Sequence, residues 1–265
     1  MSWERPPVAQ SMETFSPLSG PLRGCAWVLA IFSFLWGVAG DVYDPTMYRS
    51  LAAGASVITI AFVAWLWRRE PDRFLRGVGI VAIAVIVLQT LLGAASLSFS
   101  PVFFIVRDCL GQTYFCAMAN LALLCSSPIG EPHVSDHAAR IRRLSLLTVF
   151  FILWQLVAGA VVRHTGHGMH WHLAGAALVV IHVFLLMRRV GSDPEQRLEI
   201  RGLATLLMGL VGIQLVLGYF SWREPMAAIS AIHVAAGALI YATAVLLALQ
   251  SRRLLIPSLR VAKAS

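Results

Sequence analysis

Charged side chains are scarce in this chain of 265 residues: they make up 13% of the sequence, whereas apolar residues make up 58%. A typical soluble domain carries about 25% charged residues. The mean hydropathy of +0.75 agrees with this deficit. The composition therefore excludes an ordinary soluble enzyme and predicts an integral membrane protein.

Cysteine is also rare, and the four cysteines all fall within apolar segments, at Cys25, Cys109, Cys116 and Cys125. Cys109 and Cys116 share one predicted helix and stand about 10 Å apart along its axis, which is too far for a disulfide. We expect all four cysteines to be small packing residues without a bridge.

The chain is instead rich in long apolar runs, each close to the roughly 20 residues that a helix needs to cross a bilayer. The runs are continuous and lack the alternation of lipid-facing strands, so they predict helices rather than a barrel. Eight spans can be drawn, at residues 24–40, 51–67, 77–98, 101–126, 144–162, 169–187, 202–220 and 226–250. Residues 1–23 form a leading segment, 127–143 a linker and 251–265 a basic tail.

Basic residues outnumber acidic ones, 21 to 13, but their distribution argues against nucleic acid as a partner. Arginines are concentrated in alternate connections between spans, within 68–76, 140–143 and 188–201, and again in the tail. Because basic loops stay on the cytoplasmic side, this pattern predicts that both termini are cytoplasmic and that membrane lipid surrounds the spans.

An internal repeat organises the spans. The segment QTLLG at 89–93 in span three matches QLVLG at 214–218 in span seven, and YRSLA at 48–52 aligns with HWHLA at 170–174. The same alignment carries Arg107 close to His233. We therefore predict two tandem, pseudo-symmetric four-helix bundles, 24–126 and 144–250, in parallel orientation.

Two histidines stand in apolar segments with small residues just after them, in WHLAGA at 171–176 and IHVAAGA at 232–238. A buried imidazole is costly without a partner, so His172 and His233 at comparable depth predict a shared metal or haem iron. The alternative interpretation is a chance pair of unrelated core histidines.

His170 competes with His172, because two residues correspond to about 200° around a helix and only one of them can face the bundle interior. The ungapped repeat alignment favours His170, whereas the likeness to the His233 segment favours His172. A zinc or copper site from His164, His167 and His170 is a further alternative. We expect His182 to be a hydrogen-bonded core histidine.

Four arginines fall on the predicted outer side of the membrane: Arg49, Arg107, Arg163 and Arg223. One interpretation is that their guanidinium groups reach the lipid headgroups. The other is that they pair with anionic groups such as haem propionates, which Arg recognises through two parallel hydrogen bonds. The loop at 163–168, RHTGHG, contains two glycines that predict a tight turn over the site.

The chain resembles the haem A synthases, a family of eight-span proteins built from two four-helix halves. The likeness covers all eight spans and is carried by GAVVRHTG at 159–166, LGQTYF at 110–115, the two Gln-x-x-Leu-Gly segments and the His233 segment. Members of that family, which acts in the biogenesis of bacterial cytochrome oxidases, oxidise a methyl group of haem O to the formyl group of haem A.

The resemblance implies that His172 and His233 ligate a b-type haem in the second half and that substrate haem O binds in the first half. The family's first-half histidine positions here hold Tyr48 and Arg107, with Asp44 and Asp108 as the nearby acids. The candidates for catalytic residues are therefore Tyr48, Asp44 and Arg107. His164, His170, Arg163 and Arg223 are further candidates for cofactor binding.

Three functions follow as alternatives. The first is oxidation of haem O in the inner membrane, alongside haem O synthase and cytochrome oxidase assembly proteins. The second is a non-catalytic haem carrier or assembly factor, favoured by the missing first-half histidines. The third is a b-type cytochrome, because a bis-imidazole haem has no open coordination position and suits electron transfer.

Overall fold

The computed structural model describes residues 20–39, 45–70, 72–94, 100–126, 133–192, 198–224 and 226–257. Almost all of these residues are helical, which confirms the predicted all-α class. The helices are α1 (Gly20–Ala39), α2 (Pro45–Arg69), α3 (Arg73–Ala94), α4 (Pro101–Ser126), α5 (Ala138–Thr165), α6 (Met169–Gly191), α7 (Leu198–Arg223) and α8 (Ala227–Leu254).

Seven of these helices, α2 to α8, are long and apolar enough to cross a membrane. The apolar part of α1 that the structure describes, Gly20–Leu35, is shorter. Large apolar side chains on these helices, such as Val57, Leu173 and Ile213, are exposed on the outside of the structure. Side chains of this kind suit contact with lipid tails, so the chain is an all-α, multi-pass membrane protein.

The helix contacts fall into two sets of four. In the first set, which we call the first ring, α1 contacts α2 and α4, and α3 contacts α2 and α4. In the second set, which we call the second ring, α5 contacts α6 and α8, and α7 contacts α6 and α8. The two most buried helices, α4 and α8, also contact each other, so they form the centre of the structure.

A buried asparagine joins these two central helices. Asn120 on α4 is only 1% exposed, and its amide nitrogen donates to the carbonyl oxygen of Ala242 on α8 at 3.2 Å. The same amide donates to the carbonyl oxygen of Cys116 one turn earlier at 2.8 Å. All four cysteines are free; Cys116 and Cys125 are buried packing residues, whereas Cys25 is exposed.

A short pair of strands joins the segment before α5 to the segment after α8. Strands β1 (His133–Ser135) and β2 (Leu255–Pro257) run parallel, with His133 opposite Leu255. Arg142 donates to the carbonyl oxygens of Ser251, Arg252 and Leu255 at the end of α8. The segments predicted as linker and tail therefore contain ordered structure where they approach each other.

Several helices extend beyond the predicted spans. α1 begins at Gly20 and α5 at Ala138, each several residues before its predicted span, and α8 continues to Leu254. Arg253, near that end of α8, pairs with Asp72 between α2 and α3 at 2.7 Å, which ties the second part of the chain to the first. Residues 1–19 of the predicted leading segment lie outside the described residues.

Candidate functional site

His172 and His233 meet inside the ring formed by α5 to α8. His172 lies in the first turn of α6 and His233 in the second turn of α8. Their ring centroids are 6.4 Å apart and their ring planes cross at 69°. Because α6 and α8 are diagonal in the ring, the two imidazoles face each other across the interior of the bundle.

A tight connection between α5 and α6 sets the position of His172. Gly166 and Gly168 have φ values of 72° and 86°, in the left-handed region that glycine adopts without strain. The backbone N–H of Gly166 bonds to the carbonyl oxygen of Val162 and closes the end of α5. The chain therefore turns back at once, and the first turn of α6 lies against the last turns of α5.

Each imidazole contacts a glutamine on the helix that precedes its own. The amide nitrogen of Gln155 on α5 lies 3.3 Å from Nε2 of His172, and the amide nitrogen of Gln214 on α7 lies 3.3 Å from Nε2 of His233. The same pair of atoms is used at the same distance in both places. The α5–α6 and α7–α8 hairpins thus build two equivalent halves of one site.

Glycines on both helices of each hairpin make this contact possible. A Cβ atom on Gly159 would lie 3.1 Å from Cε1 of His172, and one on Gly218 would lie 3.1 Å from Cε1 of His233. Across from them, a Cβ on Gly175 would collide with the amide oxygen of Gln155. A larger residue at these positions would push the imidazoles or glutamines away from the interior.

The amide oxygens of Gln155 and Gln214 are buried without a hydrogen-bond partner. The backbone of each glutamine also lies within hydrogen-bond reach of the neighbouring imidazole. The two imidazoles are the groups of this site that could bind a metal ion or a metal-bearing cofactor.

His172 and His233 are the residues that could hold a metal ion or the iron of a haem between α6 and α8, since imidazole is a common metal ligand and the two ring centroids are 6.4 Å apart. Two histidines as axial ligands are also a recognised way of holding haem within a four-helix bundle.

An apolar cavity of about 50 Å³ lies next to the glutamines, between all four helices of the ring. Its walls include Ile152, Val179, Val211 and Ile240. A pocket for a drug-sized organic molecule has roughly 300 Å³ or more. The cavity is therefore much smaller than a pocket of that kind, and it marks a loosely packed place between the four helices.

Asp108 gathers three basic side chains at the same end of the bundle. It accepts a hydrogen bond from Nε2 of His164 at 2.7 Å, and it pairs with Arg163 and Arg107 at 3.4 Å each. The ring of Phe104 stacks on His164 and lies under the guanidinium of Arg107. This cluster joins α4 to the end of α5, one turn beyond Gly159.

The other histidines that the sequence singled out lie elsewhere. His170 is exposed and its ring contacts Trp171, whereas His172 faces His233. His182 bonds to the carbonyl oxygen of Leu178 and packs on Phe151, so it is hydrogen-bonded as predicted, but it is only partly buried and does not lie in the core. Among the described residues, no group of three or more His, Cys, Asp and Glu side chains is arranged to hold a metal ion.

The remaining site candidates are only partly described. Arg223 is exposed at the last residue of α7. Asp44 lies outside the described residues, and Tyr48 lies in the first turn of α2 with its side chain outside them. Of the predicted site residues, the structure joins Arg107, Arg163 and His164 in one cluster.

The first ring has the same framework without the imidazole. Gln89 on α3 lies against Gly111 on α4, with its amide nitrogen 3.5 Å from where a Cβ would stand, much as Gln214 lies against Gly237. Four residues before Gly111 stands Arg107, and four residues before Gly237 stands His233. By this spacing Arg107 stands in the first ring at the position that His233 has in the second.

The sequence interpretation overlooked Gln155 and Gln214 as site residues. A usable signal was present, because Gln-x-x-x-Gly occurs at 89–93, 155–159 and 214–218, once on each of α3, α5 and α7. Only the first and third copies were recognised, since both also carry leucine before the glycine. The looser pattern would have indicated that each hairpin presents a glutamine and a glycine to the following helix.

Comparison of the chain with protein-family models and with curated proteins finds no match.

Proposed function

We propose that this protein is a membrane haem protein that binds a b-type haem between His172 on α6 and His233 on α8. The observation that carries the proposal is the pair of imidazoles that face each other inside the second ring of helices, with their centroids 6.4 Å apart. When bound, the haem supplies one-electron redox chemistry. The protein supplies two neutral imidazoles and apolar walls that exclude water.

The proposal includes two tandem four-helix bundles, α1–α4 and α5–α8, and eight membrane spans with both termini in the cytoplasm of a bacterial cell. The identical order of helix contacts in the two rings supports the tandem arrangement. Arginines at the ends of α2, α6 and α8 support the orientation, because they all lie at the end of the molecule opposite to the histidine pair.

We further propose that the protein acts in the oxidation of haem O to haem A, with the second-ring haem passing electrons away from the reacting site. In this account the substrate lies in the first ring, near Tyr48, Asp44 and Arg107. Arg107 and Arg163 would bind propionates, for which their partly buried guanidinium groups are suited. The partners would be haem O synthase and cytochrome oxidase assembly proteins.

A second candidate function is a non-catalytic haem carrier or assembly factor. The observation that favours it is Arg107, which stands where the repeat would place a histidine and is paired with Asp108. A first ring without imidazoles has no ligands for a second, bis-histidine haem. The chain would then hold one haem and present it to a partner without changing it.

The two functions are separated by expressing the protein in a host that makes haem O but has no haem A synthase of its own. The bound haems and the membrane haems are then identified by chromatography and mass spectrometry. Haem A, or a hydroxylated form of haem O, is expected if the protein is an oxidoreductase. Haem b alone in the protein, with only unmodified haem O in the membranes, would favour the carrier.

A further inference from the structure

Each imidazole of the candidate site already has a partner on one ring nitrogen. The amide nitrogen of Gln155 lies 3.3 Å from Nε2 of His172, and the amide nitrogen of Gln214 lies 3.3 Å from Nε2 of His233. An amide nitrogen can only donate a hydrogen bond, so Nε2 is the acceptor in both pairs. A neutral imidazole that accepts on Nε2 carries its hydrogen on Nδ1.

The surroundings of Nδ1 agree with this tautomer. Nδ1 of His172 lies 3.3 Å from where a Cβ on Gly159 would stand, and Nδ1 of His233 lies 3.6 Å from where a Cβ on Gly218 would stand. The backbone of the glutamine in each pair is within hydrogen-bond reach of the same ring. Because the preceding helix covers Nδ1, the ring nitrogen that a metal can use is Nε2.

We propose that Gln155 and Gln214 occupy the two iron-binding nitrogens of the haem-free protein, and that haem binds by displacing both amides from Nε2. The inference rests on the proposed haem site. It assigns the metal to Nε2 of each histidine, and it makes the glutamines competitors of the iron.

Displacement of the amides opposes haem binding. Iron on Nε2 breaks one hydrogen bond between amide and imidazole in each hairpin, and a buried amide that loses its partner costs further free energy. The walls of the neighbouring cavity are largely apolar, with Ile152, Val179 and Val211 among them, and provide little to replace that bond. The haem-free form therefore has two hydrogen bonds that the haem-bound form lacks.

Methionine in place of either glutamine removes the competitor and keeps a side chain of similar length. Methionine has no N–H group, so Nε2 of the adjacent histidine carries no amide before haem arrives. We expect Gln155→Met and Gln214→Met each to bind haem about tenfold more tightly than the wild type, which corresponds to about 1.4 kcal/mol. A packing defect alone would change the affinity in the opposite direction.

The first ring provides a matched control. Gln89 on α3 is buried, with its amide nitrogen 3.5 Å from where a Cβ on Gly111 would stand. Gln89→Met removes a buried amide of the same kind from a ring that does not contain the histidine pair. It should leave the haem affinity at the wild-type value.

The haem-free protein provides a test that involves no haem. Nuclear magnetic resonance of ¹⁵N-labelled histidine shows which ring nitrogen is protonated, and the His172→Ala and His233→Ala variants assign the signals. We expect protonated Nδ1 and hydrogen-bonded, unprotonated Nε2 on both residues, with Nε2 signals that move when methionine replaces the adjacent glutamine. Protonated Nε2 on either residue would overturn the proposal, because the amide nitrogen would then have no acceptor.

Haem titration and the rate of haem transfer to apomyoglobin measure the affinity of the same variants. The expected result is tighter binding and slower transfer for Gln155→Met and Gln214→Met, and wild-type values for Gln89→Met. Leucine at the same positions provides the test if the methionine variants fail to fold. Unchanged or weaker haem binding in these variants would overturn the displacement and leave the haem site intact. Absence of haem from the wild-type protein would overturn both together.

Discussion

Asp108 on α4 accepts a hydrogen bond from His164 at the end of α5, with 2.7 Å between the carboxylate oxygen and Nε2. Both side chains are 14% exposed. The bond therefore crosses from the first ring of helices to the second in a partly buried position. It also places Arg107 and Arg163 on the same carboxylate, so one acid holds together the end of the molecule that contains the histidine pair.

Asp108→Asn should destabilise the haem-free protein, because two guanidinium groups lose their counter-charge in a partly buried position. We expect a loss of about 1–3 kcal/mol in the free energy of unfolding. Thermal unfolding in detergent measures it. Glu199→Gln, which changes an exposed acid in the first turn of α7, is the control and should change stability by less than about 0.5 kcal/mol. Equal effects of the two variants would contradict the bridging role of Asp108.

Gly159→Ala and Gly218→Ala should each disturb the adjacent imidazole, since the new Cβ would lie 3.1 Å from its Cε1. We expect weaker haem retention and a cost of about 1–3 kcal/mol from overpacking. Absorption spectra of the purified variants and their thermal unfolding measure both effects.

Gly209→Ala and Gly212→Ala are the controls for these substitutions, because both glycines lie on α7 with open space around the position of a Cβ. Their higher helix propensity should leave stability equal or slightly increased. Similar haem loss in all four variants would show that the contact with the imidazole has no special importance.

Arg163→Ala should release haem about tenfold faster than the wild type, equivalent to about 1.4 kcal/mol, if its guanidinium binds a propionate. Arg223→Ala should have little effect, because Arg223 is exposed at the end of α7 and Arg163 lies in the Asp108 cluster. The rate of haem transfer to apomyoglobin compares the two. Unchanged rates in both variants would favour contact of these arginines with lipid headgroups.

Asn120→Leu should weaken the contact between α4 and α8, because it removes the bond to the carbonyl oxygen of Ala242. Interhelical hydrogen bonds in membranes contribute about 0.6–1.7 kcal/mol, so a loss of that size is expected in unfolding measurements. Thr243→Ala is the control, since the hydroxyl of Thr243 donates to the carbonyl oxygen of Leu239 on its own helix. A larger loss in the control would exclude Asn120 as the link.

The sequence predicted the helical membrane class because apolar runs of spanning length leave few other structures available in a bilayer. It was less informative about the ends of the helices. Ala138 begins α5 and Leu254 ends α8, both outside the apolar spans, and the β1–β2 pair lies in segments read as linker and tail. Polar helix ends carry no hydropathy signal, and strands of three residues depend on contacts between distant parts of the chain.

The sequence predicted that His172 and His233 lie at comparable depth, in agreement with the meeting of their rings, but it said less about the residues around them. Small residues after His172 and His233 indicated a close approach of other groups, but the approaching group proved to include glutamines from the preceding helices. Choosing between His170 and His172 required the direction of each side chain. That direction depends on where the Gly166–Gly168 turn places the start of α6, and local sequence alone does not determine it.

The most direct test of the account is the haem content of the purified protein and of its His172→Ala and His233→Ala variants, measured by absorption and electron paramagnetic resonance spectroscopy. His170→Ala is the matched control, because its ring is exposed two residues away from His172. We predict a low-spin, bis-imidazole haem b in the wild type and the control, and its loss or conversion to a high-spin form in both variants. An unchanged low-spin spectrum in the His172 and His233 variants, or a wild-type protein without haem, would contradict the account.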